Sequence, residues 1–563
     1  ARGYGDAAGI LRPGTLRLNG RGLAAADAGN DGRTVVAVNT IGGNIALLRP
    51  QGPSGHWLDV ALSRFSPGAV VTVALPDGRQ LTRTVQAGSS YLSSEDPRLH
   101  FGLGTATAAR RVSVRLPSGR ELHLTNVSAD RIVTVAVPAA AAPAPAAAVS
   151  YRTSGCTSTP SHESVATLWD ETATEVLRLG EASEPVQARD LLALARAMTA
   201  AYAATAGDPS GARETAVSFA AYRLLVWRAS LGTNLSAAFT LLGNRLRSLC
   251  LSPSFTSVTG DAVAAIGNRA AASEIAAGAR DGSHEALHYA DTSYAPVNAP
   301  LVVARQVSTV HDPTFWQPLA VEQQPPVGVT SVPATVQTFV DSQWGQVRTF
   351  APGTARVRVP ERPLDDPASA AYKAAALAVI RATAGGRAAR IDTSPAGWND
   401  VARARASGDL AADLRLYRLL NGALNDAAIL AWRVKRADQA PRPISVIRFL
   451  AFQGHSPGGL PLVAGLSRLR GSEVQVRLHG RWIRGDSWVP PLETPASPGG
   501  AAESAAFGYA ANTVLTALTG RSSTSRAAAA ANAALAGGID FPADLAVGRR
   551  IGVAVARLAL AKR

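Results

Sequence analysis

The chain has 563 residues, of which 47% are hydrophobic and 17% are charged, and these values are typical of a globular protein rather than a disordered one. A chain of this length exceeds a single core, so we expect roughly two or three domains. The longest apolar stretches are too short to cross a bilayer, which excludes a transmembrane helix on hydropathy. The net charge of +15 is carried by scattered arginines. This pattern argues against a specific nucleic-acid partner but leaves attraction to anionic cell-surface polymers open.

Residues 1–138 are predicted to be all-β. Apolar and polar residues alternate in "RTVVAVNT", "GAVVTVALPDGRQLTRTVQAG" and "RRVSVRLPSGRELHLTNV". The "PDGR" and "PSGR" segments place glycine where a tight turn needs positive φ, so each predicts a hairpin. The Ala- and Pro-rich segment that follows, residues 139–153, is predicted to be a linker.

From residue 154 the apolar periodicity becomes helical in segments such as "ARDLLALARAMTAAYAAT" and "LAADLRLYRLLNGALNDAAILAWRVKRAD". A bundle of about ten or more helices fits these segments. Cys156 and Cys250 are the two cysteines of the chain. In a secreted protein they would form a disulfide, and two buried thiols are the alternative. Because the chain starts at Ala1 without a signal peptide, we interpret it as a processed or partial chain.

Two resemblances emerge in the N-terminal part. The stretch "AGSSYLSSEDPRLHFGLG" and the later "VRLPSGR" resemble an ASPIC/UnbV domain, to which we assign residues 51–138. This family is extracellular and β-rich and usually follows an FG-GAP β-propeller. Residues 1–50 resemble the end of an FG-GAP repeat, whose calcium loop reads D-x-D-x-D-G. Here Asp27, Gly29 and Asp31 hold the three ligand positions. Since the middle carboxylate is missing, we do not expect bound calcium.

Residues 154–563 resemble bacterial vanadium-dependent haloperoxidases of the PAP2-like class. Blocks that carry the resemblance include "ARDGSHEALHYADTSYAPVN", "DPTFWQPL", "AWRVKRADQAPRPISVIR" and "GGIDFPADLAVGRRIG". The resemblance implies a multidomain chain in which an all-β N-terminal domain precedes a large all-α helical bundle. It also implies a vanadate site in which one Lys, two Arg, a Ser and a Gly amide hold the oxyanion. In the family, one His acts as the acid–base group and another binds vanadium.

The family's three site motifs are only partly kept in this sequence. Lys435 and Arg442 match the first motif. In the second and third motifs the family's Ser, Gly, His, Arg and vanadium-binding His are replaced, in that order, by Ala502, Glu503, Ser504, Ala534 and Asp540. We therefore predict a vestigial oxyanion pocket made of Lys435, Arg442, Glu503, Ser504 and Asp540, with no catalytic residue and no metal. Asp540 should pair with Lys435 or Arg442 and leave the anion pocket closed.

Other candidate residues have plainer interpretations. His455, in "FQGHSPGG", could serve as a base but is interpreted as a loop residue. His284 and His288 could bind zinc with Glu285, but a polar helix face is the preferred interpretation because a third strong ligand is missing. Six tryptophans are predicted to be packing residues, with sugar stacking as the alternative, namely Trp316, Trp344, Trp398, Trp432, Trp482 and Trp488.

Three functions are compatible with the sequence. The preferred hypothesis is a secreted, non-catalytic scaffold, assembly or surface-binding protein that forms a homo-oligomer or a larger extracellular assembly. A second is an active vanadium haloperoxidase or acid phosphatase relative with a rearranged site and bound vanadate. A third is a cell-wall or polysaccharide binding protein. The first and third place the chain outside the cell or on its surface.

Overall fold

The computed structural model describes two compact units, Ala1–Ala148 and Val149–Arg563. The described residues are 20–40, 45–50, 54–86, 88, 93–117, 119–137, 150–153, 155–156, 162–232, 234–291, 293–305, 310–321, 334–359, 364–385 and 391–562. Residues 1–19 of the predicted FG-GAP remnant and most of the predicted linker lie outside these ranges. The strand-rich first unit and the helical second unit confirm the predicted fold class.

The first unit contains three sheets within the described residues. An antiparallel sheet is formed by β1 (Gly20–Ala26), β2 (Val35–Thr40) and β3 (Ala46–Leu48). A mixed sheet places β4 (His56–Leu62) between β7 (Leu99–Gly104), which runs antiparallel to it, and β10 (Arg131–Val135), which runs parallel. An antiparallel sheet has the order β6-β5-β8-β9, with β5 (Val70–Ala74), β6 (Gln80–Thr84), β8 (Ala108–Arg115) and β9 (Glu121–Ser128).

The alternating sequence pattern explains how the mixed and four-stranded sheets pack. Val71 on β5 and Val112 on β8 are fully buried, and they share one core with residues of β4 and β7. The two predicted hairpin turns contain Gly78 and Gly119, which have φ of +89° and +82°. Glycine adopts this left-handed conformation without steric cost, so both turns form as the sequence predicts.

The second unit contains twelve α-helices among the described residues. They are α1 (Val165–Leu179), α2 (Glu184–Ala204), α3 (Ser210–Ala229), α4 (Leu235–Ser248), α5 (Val263–Gly278), α6 (Ala370–Thr383), α7 (Pro395–Arg403), α8 (Leu410–Asp438), α9 (Pro443–Phe452), α10 (Glu503–Thr519), α11 (Thr524–Ala536) and α12 (Pro542–Ala561). Two small sheets, which we did not predict, lie between helices. They consist of β11 (Leu301–Val302), β12 (Leu319–Val321) and β13 (Thr335–Val336), and of β14 (Ser467–Arg470), β15 (Glu473–Leu478) and β16 (Arg481–Arg484).

Helix α8 is the central element of the second unit and positions part of the candidate site. It packs against α2, α10 and α12. It begins after Asp409, whose side chain accepts a hydrogen bond from the Ala412 amide at 2.8 Å. It ends at Gln439, which has a φ of +47°. Because Pro443 is the first residue of α9, the short connection between the two helices places Arg442 at the N-terminus of α9.

The disulfide between Cys156 and Cys250 is formed, which confirms that part of the sequence prediction. The two Cα atoms are 5.5 Å apart, and the residues are separated by 94 positions in the chain. The crosslink therefore ties the start of the helical unit to the end of α4. None of the described helices combines the length and the apolar character that crossing a bilayer requires.

Five of the six tryptophans singled out in the sequence are packing residues, as predicted. Their exposed fractions range from 0% to 4%, for Trp316, Trp344, Trp398, Trp432 and Trp488. Trp482 on β16 differs, because it is only partly buried. The guanidinium carbons of Arg468 and Arg477 lie 4.2 and 5.3 Å from the centroid of its ring. This tryptophan stacks with cations on the sheet surface instead of filling a core.

Candidate functional site

The five residues predicted to form the pocket come together where several helices begin or end. Lys435 lies in the last turn of α8, and Arg442 immediately precedes α9. Glu503 and Ser504 begin α10, whereas Asp540 lies just before α12. All five residues are buried, with exposed fractions of 8% or less. The sequence motifs therefore identified residues that share one site.

Arg442 is held on every side of its guanidinium group. Its Nη1 lies 2.5 Å from Asp540 Oδ1 and also donates to the Ile539 carbonyl at 2.9 Å. Its Nε donates to the Ser497 carbonyl at 2.9 Å, and its Nη2 donates to Ser497 Oγ at 3.0 Å. This set of partners occupies all three guanidinium nitrogens, so an anion would have to displace an existing contact.

Lys435 forms a second buried ion pair. Its Nζ lies 2.9 Å from Glu503 Oε2 and donates to the Pro498 carbonyl at 2.7 Å. The other Glu503 oxygen, Oε1, lies 3.9 Å from Arg442 Nη2. The Glu503 carboxylate therefore lies between the two cations, whereas Asp540 contacts Arg442 alone. The pairing of Asp540 with one of the two cations is the arrangement that the sequence suggested.

Two further acidic residues of the site were missed in the sequence. Asp544, in the first turn of α12, accepts hydrogen bonds from the amides of Gly500 at 3.0 Å and Phe541 at 2.9 Å. Glu184 is the first residue of α2 and lies beside Glu503 and Asp540 in the same cavity. The signals "SEP" and "FPAD" indicate helix starts, with Pro near the N-terminus. These local signals do not indicate where in the folded protein each helix begins, so they did not place Glu184 or Asp544 in the site.

A cavity of about 340 Å³ remains beside the ion pairs, so the predicted pocket is closed only at its two cations and not in the space next to them. The residues that line it include the acidic Glu184, Glu503 and Asp540, the polar Ser504, and the apolar Pro185, Val340, Trp432, Pro495 and Ile539. Lys435 and Arg442 do not line the cavity, because they extend toward the backbone carbonyls of residues 497, 498 and 539. The two cations thus lie on the far side of Glu503 and Asp540 from the cavity, and their ion pairs do not fill it.

Ser504 occupies the position at which the resemblance implies an acid–base histidine. The residue is 7% exposed, and its Oγ is buried without a hydrogen-bond partner among the described residues. None of the described residues that line the cavity is a histidine. Ala502 and Ala534 are also buried and offer only methyl groups in place of the implied Ser and Arg side chains. Among the described lining residues, imidazole is therefore absent, and Ser504 supplies the hydroxyl side chain at the start of α10.

Burial raises the pKa of two carboxyl groups of the site. Burial raises the pKa of Glu184 to about 8, and the nearby Glu503 adds to the effect. Burial also raises the pKa of Asp540 to about 7, against the opposing effect of Arg442. Burial alone would raise the pKa of Glu503, but Lys435 and Arg442 outweigh it and hold that pKa below its usual range. The site thus contains more carboxyl groups than its two cations neutralise.

Comparisons with known proteins agree with this architecture. Residues 60–142 match the ASPIC and UnbV family model, and residues 415–532 match that of the VCPO second helical-bundle domain. The first unit thus contains a match to the ASPIC/UnbV family model, and the helical unit, called the chloroperoxidase-type domain after its match, contains one to the VCPO model. The second match spans α8 to α11 and includes Lys435, Arg442, Glu503 and Ser504, while Asp540 lies beyond it.

Solved structures share the fold of the chloroperoxidase-type domain. A holo-type bacterial vanadium-dependent chloroperoxidase is 17% identical, with a TM-score of 0.53 over 73% of this chain and 97% of the other. The apo-type bacterial vanadium-dependent chloroperoxidase is also 17% identical, with a TM-score of 0.52 over 66% and 91%. A comparison with curated proteins gives no match. Identity at this level establishes the fold alone.

The histidines considered as alternative ligands lie elsewhere in the chloroperoxidase-type domain. His455 is exposed in the turn after α9 and does not line the cavity. His284 and His288 flank a single 3-10 turn, Glu285–Leu287, and both have left-handed backbone conformations with φ of +61° and +51°. The predicted helix face is therefore wrong, because the chain changes direction at both histidines. Among the described residues, this trio is not a group with metal-binding geometry.

Glu285 belongs to a separate buried ion cluster in the same domain. Its Oε2 lies 2.9 Å from Arg189 Nη2, its Oε1 contacts Arg228 Nη1, and Trp227 Nε1 donates to it at 2.9 Å. Arg189 also contacts Asp281 at 2.6 Å. These contacts join α2, α3 and the loop after α5, which is a structural role rather than metal binding.

The ASPIC/UnbV unit contains a second polar cluster around the degenerate calcium loop. Asp27 accepts hydrogen bonds from the amides of Asp31 at 3.1 Å and Gly32 at 2.8 Å. One ligand atom each from Asp27, Asp59 and His100 lies within 4.8 Å of the others. His100 Nδ1 is 2.7 Å from Asp59 Oδ1. Asp31 is not part of this group, so the two aspartates of the predicted loop do not converge as calcium ligands.

Proposed function

We propose that the chloroperoxidase-type domain is a non-catalytic scaffold or binding domain within an extracellular protein, and that it does not use vanadate. The observation that carries the proposal is the 2.5 Å ion pair between Arg442 and Asp540. This contact uses one of the two retained cations for an internal pair at the position where the resemblance implies a vanadium-binding imidazole. The Lys435–Glu503 pair uses the other cation in the same way.

Electrostatics disfavour an oxyanion at this place. An oxyanion bound by Lys435 and Arg442 would lie close to the carboxylate of Glu503, which is ionised because both cations stabilise it. At about 4 Å and an effective dielectric constant near 20, one such repulsion amounts to roughly 4 kcal/mol. This corresponds to a loss of affinity of close to a thousandfold. Binding would also require breaking hydrogen bonds to three backbone carbonyls.

The chemistry of haloperoxidases makes further demands that this cavity does not meet. Activation of a bound peroxide needs an acid–base group, and anchoring of the metal oxyanion needs a neutral imidazole. The corresponding positions hold Ser504 and Asp540. A serine hydroxyl does not titrate near neutral pH, and a carboxyl group paired with arginine carries charge of the wrong sign for this ligand.

The test is vanadate-dependent turnover and vanadate binding by the full chain. We expect no bromination of monochlorodimedone above background with vanadate, peroxide and bromide, and no cleavage of p-nitrophenyl phosphate. We also expect no saturable vanadate binding by calorimetry. Asp540→Ala is the matched variant, because it removes the competing carboxylate; its vanadate affinity, measured on protein that thermal melting shows to be folded, should be higher than that of the unmodified chain. Vanadate-dependent turnover by the unmodified chain would contradict the proposal.

A binding role at a cell surface is a second candidate, favoured by the outer face of the four-stranded sheet. Arg111 and Arg115 on β8 are exposed, and they flank the partly exposed Ser113. The spacing by two residues places all three side chains on one face of the sheet. Retention of the chain on peptidoglycan or an anionic polysaccharide, weakened by salt and by Arg111→Ala with Arg115→Ala, would support this role. Formation of a homo-oligomer stays a prediction, which sedimentation of the full chain can test.

A further inference from the structure

We infer that the strand-rich unit binds a divalent transition-metal ion, such as zinc, through Asp27, Asp59 and His100. The site differs from the calcium loop that the sequence suggested, because it omits Asp31 and includes an imidazole. All three residues belong to the first compact unit, so the inference is independent of the function proposed for the chloroperoxidase-type domain. It rests on the geometry of the ligands, a buried carboxylate oxygen without a partner and the types of donor atom.

Three separate segments of the unit bring the ligands together. Asp27 follows β1, Asp59 lies on β4, and His100 lies on the neighbouring strand β7. Asp59 and His100 are direct cross-strand partners, so their side chains project from the same face of the mixed sheet. One ligand atom of each residue lies within 4.8 Å of the other two. Zinc bonds of about 2.0–2.2 Å place two ligand atoms no more than about 4.4 Å apart, so small side-chain movements bring all three onto one ion.

The buried Asp59 has one carboxylate oxygen without a partner among the described residues. The residue is 1% exposed, and its Oδ1 lies 2.7 Å from His100 Nδ1, whereas its Oδ2 accepts no hydrogen bond from a described group. Because both oxygens share one carbon, Oδ2 lies beside the same three residues. A buried carboxylate oxygen without a donor is costly, so a cation that binds to it gains free energy. The His100 side chain is 22% exposed, which gives an ion access to the group from solvent.

The charges of Asp27 and Asp59 are not paired with a basic side chain of the described residues. Asp27 is 2% exposed, so two carboxyl groups are buried close to each other. Arg98 is nearby, but its Nε donates to both carboxylate oxygens of Asp96, at 3.0 and 2.9 Å. Its Nη2 donates to the main-chain carbonyl of Asp27 at 3.0 Å. The charge of Arg98 is therefore already paired with Asp96, and it acts on Asp27 and Asp59 only at longer range.

The types of donor atom favour a transition metal over calcium. Two carboxylates and one imidazole form a mixed oxygen and nitrogen set, which zinc accepts. Imidazole also suits iron, copper and nickel. Calcium takes about six to eight oxygen ligands, and only two side chains of this group supply oxygen. Three protein ligands leave at least one coordination position of zinc for water.

Neighbouring groups hold two of the ligands in position. The rings of Trp57 and His100 stack, with 6.3 Å between their centroids and 22° between their planes. Gly32, whose amide donates to Asp27, lies against the same tryptophan ring, and a Cβ at this position would overlap the ring. Such supporting contacts around ligands are typical of metal sites. A bound ion would therefore connect the loop after β1 to the mixed sheet.

The test is isothermal titration calorimetry of the full chain after treatment with EDTA, with zinc chloride as the probe and calcium chloride as the comparison. We expect one zinc ion to bind at this site, and calcium to bind at least about tenfold more weakly. Zinc should also raise the temperature at which the strand-rich unit unfolds, because only the folded state brings the three ligands together. Absence of zinc binding, or binding of calcium as tight as that of zinc, would overturn the inference.

Two variants, Asp59→Asn and His100→Gln, locate the ion. Each should weaken zinc binding at least about tenfold, since loss of a supporting group around the ligands already has an effect of this size. His56→Gln is the matched control, because His56 Nδ1 lies 2.6 Å from Asp130 Oδ2 in a pair of the same residue types that has no third ligand among the described residues. It should leave the zinc affinity unchanged. Unaltered affinity in both site variants, with thermal melting that shows intact folds, or an equal loss in His56→Gln, would place the ion elsewhere and refute the inference.

Discussion

The substitution Glu184→Gln should make the chloroperoxidase-type domain more stable at alkaline pH. Burial and the neighbouring Glu503 raise the pKa of Glu184 from 4.5 to about 8. The folded state therefore keeps a proton that the unfolded chain releases above about pH 4.5. The resulting stabilisation is fully present below the unfolded-state pKa and is lost as pH rises through the folded-state pKa. Glutamine does not titrate and avoids this loss.

The magnitude follows from the linkage between protonation and folding. One pKa unit corresponds to about 1.4 kcal/mol, so the shift of Glu184 represents at most roughly 5 kcal/mol above pH 8, and less because the residue is only partly buried and solvent screens its charge. The groups that set this pKa on the facing elements are Glu503, Lys435, Asp392 and Asp540. Because the negative charges of Glu184 and Glu503 repel each other, part of the increase in the free energy of unfolding of the variant comes from removing that repulsion. We expect the variant to match the unmodified chain near pH 4.5 and to exceed it by a few kcal/mol at pH 8.5.

The assay is urea unfolding at pH 4.5, 6, 7 and 8.5, followed by tryptophan fluorescence and evaluated as the difference between the two proteins. Glu175→Gln serves as the control for the loss of one charge, since this residue lies on the exposed surface of α1. Its difference from the unmodified chain should vary little with pH. If Glu184→Gln also shows a difference that does not change with pH, or is the less stable protein at pH 8.5, the assignment of a partly buried, proton-holding carboxyl group is wrong.

Two further predictions concern the crosslink and the ion pair. Replacing Cys156 and Cys250 together with Ser should lower the free energy of unfolding by about 4–5 kcal/mol in the chain-entropy model, because the disulfide closes a long loop; an unchanged midpoint in urea would contradict this. Arg442→Met should cost roughly 3–5 kcal/mol, since it leaves Asp540 buried without its partner. Adding Asp540→Leu should recover much of that loss, and strictly additive losses in thermal melting would show that the pair does not couple.

The candidate site was predictable to the extent that its residues lie in recognisable motifs. Lys435 and Arg442 match the first motif of the family that the chain resembles, and this resemblance implied that both would reach the same place. The site positions of Glu503 and Asp540 were predicted by aligning the sequence around them with the second and third motifs of the family. Glu184 was not predictable in this way, because it reaches the cavity from a helix far upstream and carries only the local signal of a helix start.

The open cavity was missed for a geometric reason. We expected the pairing of opposite charges to fill the whole pocket. The side chains of Lys435 and Arg442, however, point away from the cavity, so their ion pairs fill only the space next to the backbone carbonyls. Their hydrogen bonds to carbonyls turn them to one side. Sequence spacing contains no information about that direction.

The fold itself was predicted well where periodicity extends over many residues, as in α8 and in β8 and β9. The small sheets of the helical domain were missed because strands such as Leu301–Val302 are too short to show an alternating pattern. The segment "SHEALH" shows the opposite error. Its apparent helical spacing spans only four residues, and the left-handed conformations of His284 and His288 end any helix there.

The carbonyl groups that hold Lys435 and Arg442 have a consequence for how this domain can change. The two cations donate hydrogen bonds to the main-chain carbonyls of Ser497, Pro498 and Ile539. These bonds do not depend on which residues stand at positions 503 and 540. Exchange of two acidic side chains would therefore reverse the sign of the site without rebuilding its framework. In evolutionary terms, substitutions at only a few positions would convert a pocket that repels anions into one that attracts them.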